Sequence, residues 1–285
     1  MKNLLTLLLV LVGFTASAQQ YNNEWIQFNQ TYYRFKVANT GLYRLPKAAL
    51  TAAGIGETPV QFLELWNNGK MVPFYPSVPN GVLPAGGYLE FWAEHNDGKT
   101  DKGLYRLPAY QHSDKVSLLT DTAAYFLSIN TSGTGFRHTD VVNDPDASVL
   151  PVEQFFTHTT GAYFTNMLNP GFAAVVGEYV FSSSYDKGEF WSSFPITPSG
   201  PLNHALSGLQ VYASGSPQSF FKFGAVGNAL NSRTIGVRLN SSSIKDTVMD
   251  FFNDINTSIP IPTSLIASGT ATVQFTNNSA VTTDR

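Results

Sequence analysis

Acidic and amide side chains crowd a glycine in the first half of the chain. Glu94, Asn96, Asp97 and Asp101 surround Gly98. Oxygen-rich loops of this kind can bind Ca²⁺. The spacing does not fit an EF-hand, because Gly98 at the invariant glycine position would place an alanine at the first ligand position. We therefore predict an ordinary turn around Gly98, and we assign no metal-binding residue.

A second set of residues has the types found in hydrolases. His112 is followed by Asp114 and Asp121, which suggests a fragment of a Ser-His-Asp triad. No serine, however, has the Gly-x-Ser-x-Gly setting of a nucleophile elbow. We interpret the three residues as loop and strand-edge groups. The chain also has no cysteine, which excludes thiol catalysis and thiolate metal sites within it. We therefore predict no catalytic residue in these 285 residues.

The histidines show no ligand pattern. They are His95, His112, His138, His158 and His204, and no two of them have the i, i+4 spacing of a helical zinc site. Isolated histidines are usually surface groups or hydrogen-bonded structural groups. We predict neither a metal nor a cofactor.

Tryptophans offer one further chemistry, which is stacking against sugars. Trp66, Trp92 and Trp191, with the tyrosines, could line a glycan-binding face. Trp66 and Trp92 lie within strands of alternating pattern, where an aromatic side chain more often fills the core. We favour the core for both, and keep glycan binding as the alternative.

The composition limits the class of protein. Hydrophobic residues make up 43% of the chain and support a packed core, whereas charged residues make up only 13%. Low charge with many aromatic, glycine and hydroxyl residues is typical of extracellular β proteins. The formal net charge of −3 gives no basic patch for nucleic acid or anionic lipid.

Apolar residues recur mostly with a period of two, which predicts strands. The expected strands cover 33–37, 42–45, 62–66, 71–75, 88–93, 124–129, 178–181, 189–191, 209–212, 234–239 and 271–275, with an extended segment at 259–262. The turn at 67–70 contains Asn-Gly, the strongest short hairpin signal. Pro46 and Gly54 bracket the best helix candidate, at 46–53.

These elements predict an all-β fold of two mainly antiparallel β units. The second unit is expected to be a β-sandwich or jelly roll. The segment 140–151 holds three Asp and two Pro without periodicity and suggests a boundary. We predict an N-terminal β domain at 19–145, an aromatic-rich connecting region at 146–200, and a sandwich at 201–285 that continues beyond Arg285.

The first residues have the layout of a secretory signal peptide. Lys2 precedes an apolar run at 4–14, and the small residues Ala16, Ser17 and Ala18 follow. The run is shorter than the roughly 20 residues of a membrane span. No later apolar stretch of the sequence approaches that length either. We therefore predict a signal peptide at 1–18, export, and no membrane span.

An ordered series of short motifs resembles a known family. The first motifs are YYRFKV at 32–37, GLYRL at 41–45, and LWNNGK at 65–70 followed by Val72-Pro73. The most specific piece contains EFW at 90–92, NDG at 96–98, Asp101 and LYR at 104–106. Asp121-Thr122, YFL at 125–127, VRLN at 237–240, Ile259-Pro260 and VQF at 273–275 complete the series. In this order they resemble the N-terminal region of PorU-type proteins of the type IX secretion system, in the gingipain family of cysteine peptidases.

The resemblance implies a role at the surface of a Bacteroidetes-like cell, reached through the periplasm. Such proteins act as sortases, cutting a C-terminal signal from secreted cargo with a Cys nucleophile assisted by a His in a downstream α/β domain. Because this chain has no cysteine, no catalytic residue carries over. The chain would then be the non-catalytic front of such a peptidase. Its partners would be the downstream peptidase domain, secreted cargo proteins and outer-membrane secretion components.

Two alternatives remain open at this point. One is a stand-alone surface module that binds glycans or partner proteins, supported by the aromatic content. The other is a structural surface domain. Whether the whole protein is an enzyme is not decided by these residues.

Overall fold

The structure is a computed structural model. It describes residues 23–133, 135–139, 141–142, 153–175, 179–182, 184–212 and 217–285. The predicted signal peptide at 1–18 and most of the predicted boundary at 140–151 lie outside the described residues. No helix in the described ranges is long and apolar enough to cross a membrane.

The chain divides into two compact units. Unit 1 comprises residues 1–95 and 122–141, and unit 2 comprises residues 96–121 and 142–285. The segment 96–121 therefore joins unit 2, although it lies inside the range 19–145 that the sequence suggests for the first domain.

Among its described residues, unit 1 has seven strands and one helix, α1 (Lys47–Ala52). The strands are β1 (Tyr33–Val37), β2 (Gly41–Pro46), β3 (Leu63–Asn67), β4 (Lys70–Val72), β5 (Tyr75–Pro76), β6 (Tyr88–Ala93) and β7 (Ala123–Ile129). A 3-10 turn at Val60–Phe62 precedes β3. The predicted Asn-Gly hairpin joins β3 to β4, and Asn68 and Gly69 both have positive φ, as a type I′ turn requires.

Two antiparallel sheets enclose the core of unit 1. Their strand orders are β1-β7-β3-β4 and β2-β6-β5. Alternate side chains of the strands point inward and are buried with side chains of α1 and the loops. These buried residues are Val37, Leu50, Ile55, Val60, Leu63, Leu65, Phe74, Leu83, Leu89, Phe91, Ala93, Tyr125 and Leu127.

The described part of unit 2 contains ten strands. They are β8 (Met167–Leu168), β9 (Ala173–Val175), β10 (Tyr179–Phe181), β11 (Trp191–Ser192), β12 (Leu202–Leu206), β13 (Ser219–Val226), β14 (Arg233–Leu239), β15 (Ser242–Met249), β16 (Asp254–Ile261) and β17 (Ala271–Asn277). Three 3-10 turns lie at Lys99–Gly103, Pro108–Tyr110 and Thr263–Leu265.

The later strands of unit 2 form a sandwich. One sheet has the order β12-β17-β14-β15, and the other pairs β13 with β16. Their apolar side chains form one buried cluster: Phe223, Ile235, Val237, Leu239, Met249, Ile261, Ala271 and Val273. Two shorter antiparallel pairs, β9-β10 and β8-β11, precede it in the chain. The predicted all-β class with antiparallel sheets is confirmed.

Two predictions are corrected by the structure. Residues 209–212 are not a strand, and the strand in this region is β12, five residues long and just upstream. Trp66 and Trp92 do not fill the core. The residues just before them, Leu65 and Phe91, point into the core. Because successive side chains of a strand point to opposite faces, Trp66 and Trp92 lie on the outer faces of their sheets. Trp66 is covered there by Trp25, whose ring stacks on it at 5.4 Å.

Candidate functional site

The turn around Gly98 is a structural element of unit 2. Gly98 has φ of 90°, and a Cβ placed there would lie 2.7 Å from the carbonyl oxygen of Val116. Three residues later the buried carboxylate of Asp101 accepts hydrogen bonds from Ser117 Oγ at 2.9 Å and from the backbone N–H of Leu118 at 2.8 Å. Asp101 therefore fixes a second stretch of loop, and its oxygens are bound by protein donors.

Two neighbouring side chains, Asp97 and Asn96, have protein partners too. Asp97 pairs with the ammonium group of Lys99, and Asn96 Oδ1 accepts from the backbone N–H of Gly98 at 3.3 Å and from Thr100 Oγ1 at 3.0 Å. No group of three His, Asp or Glu side chains in the described ranges is placed to share a metal ion. The local geometry is that of a hydrogen-bonded turn.

The LYR motif at 104–106 is anchored in the same unit. Tyr105 is buried, and its hydroxyl donates to the carbonyl oxygen of Glu189 at 2.9 Å. Burial, and then the nearby acidic side chains, raise the pKa of Tyr105. Arg106 lies 3.3 Å from the Asp186 carboxylate, and its backbone N–H donates to the carbonyl of Tyr185 at 2.9 Å. These contacts hold residues 104–106 against residues 185–189.

One buried polar group of unit 2 is centred on His112 and Asp254. Both side chains are buried, and His112 Nε2 lies 2.6 Å from Asp254 Oδ2. The second carboxylate oxygen, Oδ1, lies 3.4 Å from Lys187 Nζ, and that ammonium group also donates to Asn253 Oδ1 at 2.9 Å. Three separate parts of the chain therefore meet at one carboxylate.

The electrostatics of Asp254 favour its ionised form. Burial alone would raise its pKa, but the hydrogen bond from His112 and the charge of Lys187 outweigh burial, so the pKa of Asp254 lies below the ordinary value. Because an ionised carboxylate can only accept hydrogen bonds, the Nε2–H of His112 is the donor.

The other side of the imidazole is closed by packing. The ring of Phe190 stacks on His112 with centroids 4.1 Å apart and planes 8° apart. A Cβ at Gly224 would lie 2.5 Å from His112 Nδ1. Nδ1 has no hydrogen-bond partner, so no serine or threonine hydroxyl of the described residues is hydrogen-bonded to His112 as a nucleophile would be. The arrangement is a buried ionic link and lacks one member of a catalytic triad.

The predicted site residues are dispersed rather than gathered. Asp114 pairs with Lys115 at 3.6 Å and not with His112. Asp121 accepts a hydrogen bond from Asn96 through its backbone carbonyl. His95 Nδ1 lies 2.7 Å from Thr40 Oγ1, and His204 contacts the ring of Phe164. The sequence interpretation missed Asp254 and Lys187, since nothing in their local pattern marks them as partners of His112.

A cavity of about 610 Å³ opens beside this link in unit 2. Its walls are largely aromatic and aliphatic, with Phe190, Phe220, Phe221 and Phe275 among them. His112 lies on one part of the lining, and Arg233 lies on another. Volumes of this size are ordinary for small-molecule sites.

Unit 1 carries a different exposed feature, which we call the Trp92 face. It is the outer surface of the β2-β6-β5 sheet, where Leu42 lies opposite Trp92 and Arg44 lies opposite Glu90. Trp92 is 53% exposed. Arg44 Nε lies 2.5 Å from Glu90 Oε2, and its guanidinium lies 4.3 Å above the ring of Tyr88. The face thus combines an exposed indole with hydrogen-bonding charged groups.

The chain shows only limited similarity to known proteins. No family model and no curated protein matches the chain. Among solved structures, the chain is similar to the crystal structure of dimeric latent PorU from Porphyromonas gingivalis, with 12% sequence identity and a TM-score of 0.42. The match covers 89% of this chain and 23% of that chain, so this chain spans less than a quarter of its relative. A likeness at this TM-score establishes neither the fold nor the family of the chain.

Proposed function

We propose that this chain is the non-catalytic N-terminal region of an exported, gingipain-like cysteine peptidase of the PorU type. Its role is to support a downstream peptidase domain that processes secreted cargo of the type IX secretion system. One observation carries the proposal: the residues of the most specific motif serve as buried structural anchors. Asp101 holds Ser117 and Leu118, and Tyr105 holds Glu189.

Buried anchors of this kind suit a supporting region. A side chain that is buried and fully bonded contributes to one rigid arrangement and is not available to a substrate. The ionic link of His112, Asp254 and Lys187 is structural as well, because both oxygens of the Asp254 carboxylate are bound by protein groups. The cysteine-free chain thus supplies rigidity, and the chemistry belongs to residues that follow it.

The proposal also includes export of the protein from the cytoplasm. The predicted signal peptide at 1–18 directs the protein to the periplasm and then to the outer surface of the cell. Its partners there are the peptidase domain of the same protein, secreted cargo and outer-membrane secretion components.

The decisive experiment starts with the reading frame after codon 285. We expect the frame to continue into an α/β domain that contains a Cys and a His. The extended protein is then labelled with a thiol-directed peptidase probe, and residues 19–285 alone serve as the unlabelled control because they contain no cysteine. A stop codon directly after Arg285 would overturn the proposal.

The supporting role is tested by variants of the extended protein. Asp101→Asn should lower the yield of active peptidase at least threefold, whereas Asp97→Asn, in the same turn, should leave it unchanged. A downstream domain that is equally active and equally stable without residues 19–285 would contradict the supporting role.

A second candidate function is glycan binding at the Trp92 face. The exposure of Trp92 favours it, since an indole on a flat sheet can stack on a sugar ring while Arg44 and Glu90 hydrogen-bond to hydroxyl groups. A glycan array probed with residues 19–285 tests this function. A specific signal that is lost in Trp92→Ala would support it, and no signal on the array would count against it.

A further inference from the structure

The lining of the unit 2 cavity includes large aromatic side chains that are exposed to solvent. Phe194 and Phe220 both line the cavity, and they are 69% and 66% exposed. Tyr163, also on the lining, is exposed as well. Three large aromatic side chains on one cavity lining leave apolar surface in contact with water, which a bound apolar molecule would remove.

Charged groups on the lining are mostly basic. Lys115, Lys222, Arg233 and Arg285 are on the lining, and Asp114 is its only acidic residue among those described. Asp114 is already paired with Lys115. The lining therefore carries more basic than acidic side chains, although Asp254 lies against His112 and the charges of Asp284 and Asp250 reach Arg233. This charge difference favours an anion over a neutral or cationic ligand.

Arg233 is the buried cation of this lining. It is 4% exposed, and none of the ion pairs formed by the described residues includes it. Its Nη atoms donate only to backbone carbonyls, including Phe251 at 3.3 Å and Arg285 at 2.5 Å. Its Nε is buried without a partner. Burial lowers the pKa of Arg233, against the opposing effect of Asp284 and Asp250.

A buried, incompletely bonded guanidinium is a common receptor for carboxylates. The Nε–H lacks an acceptor, and a carboxylate would supply one.

We propose that the cavity of unit 2 binds an apolar carboxylate of the fatty-acid class. Its hydrocarbon chain lies along the exposed rings of the lining, Phe194 and Phe220, and its carboxylate is directed to Arg233. The volume of about 610 Å³ is of the size that holds a ligand of this class. Binding here does not depend on peptidase activity and goes beyond the supporting role of the chain.

The test uses the full exported chain and cis-parinaric acid, a fluorescent fatty acid. We expect saturable fluorescence enhancement at micromolar concentration. Dodecanoate should displace the probe at a concentration at least tenfold lower than its methyl ester or dodecylamine, because these two lack the negative charge. No saturable enhancement, or equal displacement by all three compounds, would overturn the proposal.

Two variants locate the site. Arg233→Met should remove the preference for dodecanoate over its methyl ester if the variant folds. Because that change could unfold the unit, Phe220→Ser at an exposed position of the lining provides an independent measurement and should weaken probe binding at least fivefold. The matched control is Phe28→Ser in unit 1, a side chain that is 94% exposed. Unchanged binding by Phe220→Ser, or an equal loss in Phe28→Ser, would overturn the assignment.

Discussion

His112 Nε2 lies 2.6 Å from Asp254 Oδ2, and the two residues are 142 positions apart in the sequence. The bond joins the segment 96–121 to the first residue of β16. A link between such distant residues can form only when both parts of unit 2 have come together. The His112–Asp254 pair is therefore a sensitive site at which to perturb this unit.

Asp254→Asn removes the charge from this link. The amide keeps the shape of the carboxylate but weakens the bonds with His112 and Lys187, so unfolding of unit 2 should require about 1–3 kcal/mol less free energy at pH 7. Urea denaturation measures the difference. Asp114→Asn, an exposed aspartate close to His112 in sequence, is the control and should change the free energy by less than about 0.5 kcal/mol.

The same link predicts a pH dependence. The pKa of Asp254 is lower in the folded protein than in the unfolded chain, where an aspartate has a pKa of about 3.9. Its stabilising contribution is therefore present above about pH 4 and is lost as the pH falls through the folded pKa. The stability difference between wild type and Asp254→Asn should shrink below about pH 4 in urea titrations. A difference that stays constant from pH 7 to pH 3 would contradict this assignment.

Gly98→Ala tests the turn of the most specific motif. An alanine there must adopt a φ of 90°, and its Cβ would lie 2.7 Å from the Val116 carbonyl oxygen. We expect a loss of about 1–3 kcal/mol in the free energy of unfolding. Gly103→Ala in the following 3-10 turn is the matched control, because its Cβ would meet nothing within 4 Å. Equal melting temperatures for the two variants would show that the turn is not strained by a side chain.

Asp101→Asn tests the buried anchor itself. One of its two oxygens becomes an amino group, and this group cannot accept hydrogen bonds from Ser117 and Leu118. The expected cost is about 1.5–3 kcal/mol. Asp97→Asn removes only the partly exposed pair with Lys99 and should cost under about 1 kcal/mol. Chemical denaturation of both variants compares the two, and a larger loss in Asp97→Asn would refute the ranking.

Local patterns were sufficient to predict many strands and their turns. Alternation along residues 33–37 and 88–93 matches β1 and β6, because one face of each strand is buried and the other is not. The Asn68-Gly69 turn was predictable because few other residues adopt two successive positive φ angles at low cost. The strand predicted at 209–212 failed since four alternating residues do not specify pairing, and β17 pairs with residues 202–206 instead.

Side-chain partners from distant parts of the chain were beyond local patterns. Nothing near Asp254 or Lys187 in sequence indicates that they meet His112, since the contact depends on the packing of unit 2. The sequence also did not determine whether the strand face that carries Trp92 points to the core or to solvent. Alternation defines two faces but not which of them is buried, and the neighbouring Phe91 occupies the core.

Phe91 and Trp92 are adjacent in the sequence, but Phe91 is buried in the core and Trp92 lies on the surface. Phe91 is buried, so Phe91→Ala should lower the free energy of unfolding by about 3–5 kcal/mol. Trp92→Ala removes an exposed ring and should cost less than about 1 kcal/mol. If the Trp92 face binds glycans, Trp92→Ala should also abolish that binding while the melting temperature stays within a few degrees of wild type. A large loss of stability in Trp92→Ala would instead make this tryptophan a packing residue and remove the main support for glycan binding.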